Sequence, residues 1–204
     1  MEKLLCKRSD LGASTYFVAL EAKSVCHGFY DDACYKFYLL RLFHCLNFYH
    51  IKLHAYVLLP DKMWLLVTPG STAGLRNLLA FVNRAYCNYF NTRFARTIHR
   101  WHKNFTEQPI LRDSLVMACQ RHMESEPVRR GLVAHPGVWR WSSYNSNSFG
   151  GGSRFVTKHR AFRQFFQSVS DPGVRYRAYV SNGLIASKRH ALHTLLLCES
   201  GQTA

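Results

Sequence analysis

Acidic residues are scarce in this chain. Twelve Asp and Glu stand against 27 Lys and Arg, a formal charge of +15. Such an imbalance favours a polyanionic partner, nucleic acid or an anionic membrane surface, and does not by itself choose between them. No apolar run is long enough to span a membrane, and the N-terminus lacks the apolar core of a signal peptide. The expectation is therefore a cytoplasmic, nucleoid-associated protein without a membrane partner. The cysteines Cys6, Cys26, Cys34, Cys45, Cys87, Cys119 and Cys198 form no CxxC pair and no zinc-like spacing. Their odd number argues against a disulfide framework, so they read as small buried apolar residues. No internal repeat is present. What remains is a chain of 204 residues, 48% hydrophobic, enough for one domain with a sizeable core or one domain plus an appendage.

The apolar pattern divides this core. Tyr16–Leu20 reads as a strand. Asp31 and Asp32 can cap a helix whose apolar stripe includes Tyr35, Leu39, Leu42, Phe43 and Leu46. Two strands, Lys52–Leu59 and Met63–Thr68, flank a turn at Pro60, Asp61 and Lys62. A second helix starts near Ser71 or Thr72, with Leu75, Leu78, Leu79, Val82, Tyr86 and Tyr89 inward. A third starts at Asp113 or Ser114 and runs to about Glu126, where Pro127 limits it. The order strand, helix, strand, strand, helix predicts an α+β fold, a small antiparallel sheet backed by helices. Asn145–Ser153 reads as a linker or mobile loop, followed by a basic extension over 154–204 with two short helices.

Two stretches concentrate cations. Arg84, Arg93, Arg96, Arg100 and Lys103 lie in a segment with no acid between 81 and 106, interleaved with Tyr86, Tyr89, Phe90, Phe94, Trp101 and Phe105. Basic residues hold phosphates while an exposed ring stacks on a base. The competing reading puts the rings in the core and the arginines on a solvated helix face. Beyond the linker, Arg154, Lys158, Arg160 and Arg163 lead a second set that continues through Arg175, Arg177, Lys188 and Arg189. It would clamp a DNA flank, or be a solvated tail. Arg129 and Arg130 are further candidates for DNA contact. Trp139, Trp141 and Tyr144 read as packing residues that pin a chain crossing to the core, with Ser142 and Ser143 bonding to backbone.

The stretch His54–Thr68 resembles the core of the REP-associated tyrosine transposases, in the single-tyrosine HUH superfamily. Thr15–Leu20 resembles that family's opening strand. Met123–Val133, with its Pro-Val-x-x-Gly, resembles its helix-ending signature, and Trp139–Tyr144 the signature that follows. Order and spacing fit, over residues 10–150. The resemblance implies a ferredoxin-like sheet and a DNA partner, single-stranded or hairpin, for the protein alone or as a homodimer.

The same resemblance implies a chemistry whose residues have changed. In the family the turn is followed by two metal-binding histidines around one apolar residue; here those positions are Lys62 and Trp64. The family's nucleophilic tyrosine lies five residues before the proline, and that position is His122; a third metal ligand one helical turn on corresponds to Glu126. Trp101 keeps a family tryptophan, whereas Asn104 stands where arginine is usual. Lysine brings a cation toward a cation, and indole has no lone pair to give. The expectation is a DNA-binding protein without cleavage activity and without a cofactor. Two alternatives stand beside it. One is an active transposase or nuclease using Mg or Mn, with His54, His122 and Glu126 sharing the metal and Tyr56, Tyr86 or Tyr89 as nucleophile. The other is an adaptor in a DNA-processing complex, meeting a protein through Phe162, Phe165 and Phe166.

Overall fold

The computed structural model describes residues 14–21, 28–95, 105–149 and 153–182. Its first elements are β1 (Thr15–Glu21), α1 (Asp32–Leu46), β2 (Ile51–Leu59), β3 (Lys62–Pro69), α2 (Thr72–Phe94) and β4 (Phe105–Ile110). The strands pair antiparallel in the order β2-β3-β1-β4, a ferredoxin-like sheet. β2 and β3 form a tight β-hairpin whose closing pair is Leu59 with Lys62. β4 is not evident from the residue pattern: it is six residues long and contains Pro109, which is tolerated because β4 is an edge strand.

Local chemistry starts the helices where expected. Asp31 accepts from the Cys34 N–H at 3.0 Å, and Ser71 accepts from the Gly74 N–H at 3.0 Å. Both helices press one sheet face, burying Tyr35, Tyr38, Leu39 and Leu42 of α1 and Leu75, Leu78, Leu79, Val82, Tyr86 and Phe90 of α2. Each such side chain removed from water stabilises the fold by about 2 kcal/mol before entropy is counted.

The opposite face is covered by α3 (Asp113–Arg129), α5 (Arg160–Phe165) and α6 (Pro172–Ser181). Phe17, Ala55, Val57, Trp64 and Leu66 of the sheet meet Val116, Met117 and Met123 of α3, Phe162 of α5 and Tyr176 of α6, with Phe166 just beyond α5. The helix α3 runs through Pro127 and stops at Arg129, three residues beyond the expected end at Glu126. Proline in the last turn forfeits one backbone bond and leaves the earlier turns intact. Gly131, at φ 67°, then turns the chain out of the helix, with its N–H on the Val128 carbonyl. The expected linker contains a short helix, α4 (Tyr144–Phe149), packed on α6. Gly173 permits this contact, since a Cβ there would overlap the Ser148 carbonyl oxygen.

The tryptophan segment covers the outer edge of β2. The Leu58 N–H donates to the Trp141 carbonyl, the Ser143 N–H donates to the Tyr56 carbonyl, and the Trp139 indole N–H donates to the Leu58 carbonyl, each at 2.9 Å. Trp141 stacks on Tyr35 at 4.9 Å. Cys34, Cys87 and Cys119 are buried and Cys45 is half-buried. Among the described residues, no helix is long and apolar enough to cross a membrane.

Candidate functional site

Side chains alternate across β3, so Lys62, Trp64 and Thr68 share the face beneath α3. The last turns of α3 bring His122, Glu126 and Arg129 to the same end of that face. Trp64 and His122 stack with centroids 5.5 Å apart, and the Lys62 ammonium lies 5.1 Å from the Trp64 ring. Arg129 Nη1 is 2.9 Å from His122 Nδ1 and forms an ion pair with Glu126 Oε2 at 2.7 Å. Burial pushes the Glu126 carboxyl up, and the nearby Arg129, Lys62 and Arg130 charges oppose that shift. Lys62 also pairs with Glu21. Arg130 holds both Asp61 oxygens, with Nη2 at 2.8 Å from Oδ2, and this bond keeps the Asp61 carboxyl below its ordinary range. The four positions singled out from the helix and turn signatures thus converge. Their chemistry is a cation–aromatic stack in which a guanidinium already faces the imidazole nitrogen and the carboxylate.

His54 does not join them. It sits at the other end of the same sheet face, on Thr68 and Thr157. Among the described residues, no three His, Cys, Asp or Glu side chains are grouped to hold a metal ion. The proposed substitute nucleophiles are also elsewhere. Tyr56, Tyr86 and Tyr89 belong to the cluster on the α1 and α2 side of the sheet. Burial pushes the Tyr56 hydroxyl up to about 12, and Tyr86 donates to the Gly28 carbonyl.

The cations expected to meet DNA fall into distinct environments. The side chains of Arg84, Arg154 and Arg163 are exposed and have no hydrogen-bond or ion-pair partner among the described residues; Arg154 rests over the Phe155 ring. Arg93 pairs with the Asp31 cap and reaches the Tyr89 hydroxyl. Arg160 pairs with Asp113. Arg129 and Arg130 are engaged as above. Lys158 is turned inward, contrary to its expected place on a phosphate: its ammonium donates to Asn147 Oδ1, the Asn147 carbonyl and the Ser146 carbonyl, and burial lowers it to about 8. Arg96, Arg100 and Lys103 lie outside the described residues. The rings among the first basic set are mostly core: Tyr86 and Phe90 are buried, and Tyr89 stacks on Phe37 at 4.1 Å.

Sequence reasoning missed Glu124. This fully buried carboxylate accepts from Ser143 Oγ at 2.6 Å, Asn147 Nδ2 at 2.8 Å and the Tyr176 hydroxyl at 2.6 Å, joining α3 to α4 and α6. Burial pushes its carboxyl up, against those three hydrogen bonds and the Lys158 charge. The available signal was an acid beside a proline signature in a chain with few acids.

No family model matches the chain, and no curated protein matches it in sequence. Its fold is similar to the solved structure of a REP-associated tyrosine transposase bound to a REP hairpin. The TM-score is 0.55 at 16% identity, covering 79% of this chain and 96% of the other. The likeness establishes a shared architecture.

Proposed function

We propose that this protein binds single-stranded or hairpin DNA and does not cut it. The carrying observation is the convergence of Lys62, Trp64, His122 and Glu126 at one end of α3, with Arg129 engaging the last two. At a site of this shape, strand cleavage needs a metal to polarise the phosphate and a hydroxyl to attack phosphorus. Lysine and tryptophan supply no metal ligand, and histidine has no phenolic oxygen. The donor set therefore does not fit a divalent ion. Support for DNA as the partner comes from the +15 charge and from the fold shared with a hairpin-bound transposase. Among the cations singled out in the sequence, Arg84, Arg154 and Arg163 have exposed side chains with no hydrogen-bond or ion-pair partner among the described residues, which leaves them open to phosphates.

The test pairs binding with chemistry. Fluorescence anisotropy on labelled hairpin, single-stranded and duplex DNA should show affinity that falls as salt rises, with duplex weakest. A denaturing gel of the same mixtures in Mg²⁺ or Mn²⁺ should show intact DNA and no covalent adduct. No binding at low salt removes the reading. A metal-dependent adduct replaces it with an enzyme of altered centre, and the adduct's loss in His122→Ala would identify the nucleophile.

A further inference from the structure

A second polar site lies at the other end of the sheet face, where β1 begins, β3 ends and α3 starts. It is a cavity of about 240 Å³ whose lining includes Thr15, Thr68, His54, His159, Lys52 and Arg163. Its inner wall is one hydrogen-bonded chain. His159 Nε2 is 2.9 Å from Thr15 Oγ1, Thr15 Oγ1 is 2.9 Å from Thr68 Oγ1, and Thr68 Oγ1 is 2.8 Å from His54 Nε2.

The two ends of this chain fix its direction. Nδ1 of His159 accepts from the Ala161 N–H, so the proton of the neutral ring is on Nε2 and donates to Thr15. At the far end, His54 Nδ1 lies 2.7 Å from the Thr157 carbonyl and must donate to it, which leaves Nε2 to accept from Thr68. Thr15 therefore donates to Thr68. Every hydroxyl proton in the wall is committed, and each threonine oxygen keeps a spare lone pair. Burial lowers both imidazoles, His54 to about 4, so the wall is uncharged at neutral pH.

The rim is the opposite. The Lys52 and Arg163 side chains are exposed and have no hydrogen-bond or ion-pair partner among the described residues, while Arg160 is balanced by Asp113. The cavity thus offers acceptors inside and unpaired cations outside. A simple inorganic anion would satisfy only the rim. A molecule that carries both a phosphate and a hydroxyl or amino donor satisfies both zones.

We propose that this cavity holds one nucleotide, with its phosphate outward on Lys52 and Arg163 and a sugar hydroxyl or base amine inward on Thr15 and Thr68. The nucleotide has two possible sources, a free nucleotide or the phosphorylated end of a DNA strand. In the second case the site rests on the DNA-binding reading and extends it.

Calorimetry with deoxynucleoside monophosphates, and anisotropy with short strands bearing a 5′-phosphate or a 5′-hydroxyl, test the site. The double variant Lys52→Gln, Arg163→Gln removes two exposed charges and leaves the core untouched. Affinity should fall about tenfold for each cation lost. Thr68→Val, checked for folding by circular dichroism, should weaken nucleotide binding while leaving inorganic phosphate binding unchanged. Binding of free nucleotides that weakens in these variants identifies a soluble occupant. A preference for phosphorylated strands that disappears in them identifies a strand end. Wild type that binds neither, or binding unchanged in the double variant, overturns the site. DNA-hairpin binding that persists in that outcome leaves the DNA-binding reading intact, and nucleotide binding without hairpin binding does the reverse.

Discussion

The Trp64 indole and the His122 imidazole lie 25° from parallel, one supplied by β3 and the other by α3. The stack ties the helix to the sheet at the end where Arg129 pairs with Glu126. Phe17 extends it on the sheet side, 5.8 Å from Trp64. Trp64→Ala should cost about 3–5 kcal/mol through the cavity it leaves. His122→Phe keeps a flat ring and loses the Arg129 contact, so it should cost about 1 kcal/mol. Urea denaturation measures both. Equal losses would show that the stack is incidental.

Glu124 is expected to be as sensitive as Trp64. Glu124→Ala leaves Ser143, Asn147 and Tyr176 without their shared acceptor in a buried site, at a cost of about 3–5 kcal/mol. Because its folded pKa is raised, its contribution is fully present below the unfolded value and declines as pH rises through the folded one. The stability of Glu124→Gln relative to wild type should therefore improve from pH 4 toward neutrality. A difference that stays flat across that range would contradict the buried-carboxyl account.

His54 works with the opposite sign. Its pKa is depressed from 6.5 to about 4, so the folded state gains from the neutral ring above pH 6.5 and loses that gain as pH falls toward 4. The loss is on the order of 3 kcal/mol for this residue. His54→Gln, which holds no titratable ring, should flatten that part of the profile. Thermal melts of the two proteins between pH 4 and pH 7 give the comparison.

The cations separate by their partners. Single changes of Arg84 or Arg154 to Ala should weaken DNA binding at every sequence and lower the salt slope by about one. Arg130→Ala should instead act on the turn, where its Asp61 pairing lies. Anisotropy across a salt series, with melting temperature measured in parallel, distinguishes these effects. A salt slope unchanged in Arg84→Ala and Arg154→Ala would move the interface elsewhere.

Much of the fold is legible in the residue pattern because it repeats simple periods. Tyr35, Leu39, Leu42 and Leu46 mark the inner stripe of α1, and Pro60 with Asp61 marks the β2–β3 turn. β4 escapes notice because Phe105–Ile110 is short, contains a proline and carries Glu107 and Gln108. The inward faces of α5 and α6 are obscured for another reason. Phe162, Phe166 and Tyr176 sit among arginines, so the charge dominates the reading while the rings carry the packing. The convergence of Lys62, Trp64, His122 and Glu126 follows from the alternation of β3 and the turn spacing of α3. The hydrogen-bonded chain from His159 to His54 does not, because its four members come from four separate segments and their proton directions depend on backbone groups at each end.

The covering of β2 by residues 139–143 bears on how copies of this protein behave when crowded together. An open strand edge templates the next chain and seeds aggregates. Here the Trp141 and Ser143 backbone groups already occupy β2 near its middle, and the Thr157 N–H occupies the Leu53 carbonyl at 2.7 Å. The remaining edge, β4, is short and interrupted by a residue with no N–H. Cross-β stacking is thus blocked on one side and blunted on the other. A chain this rich in aromatics thereby keeps its sheet from acting as a seed.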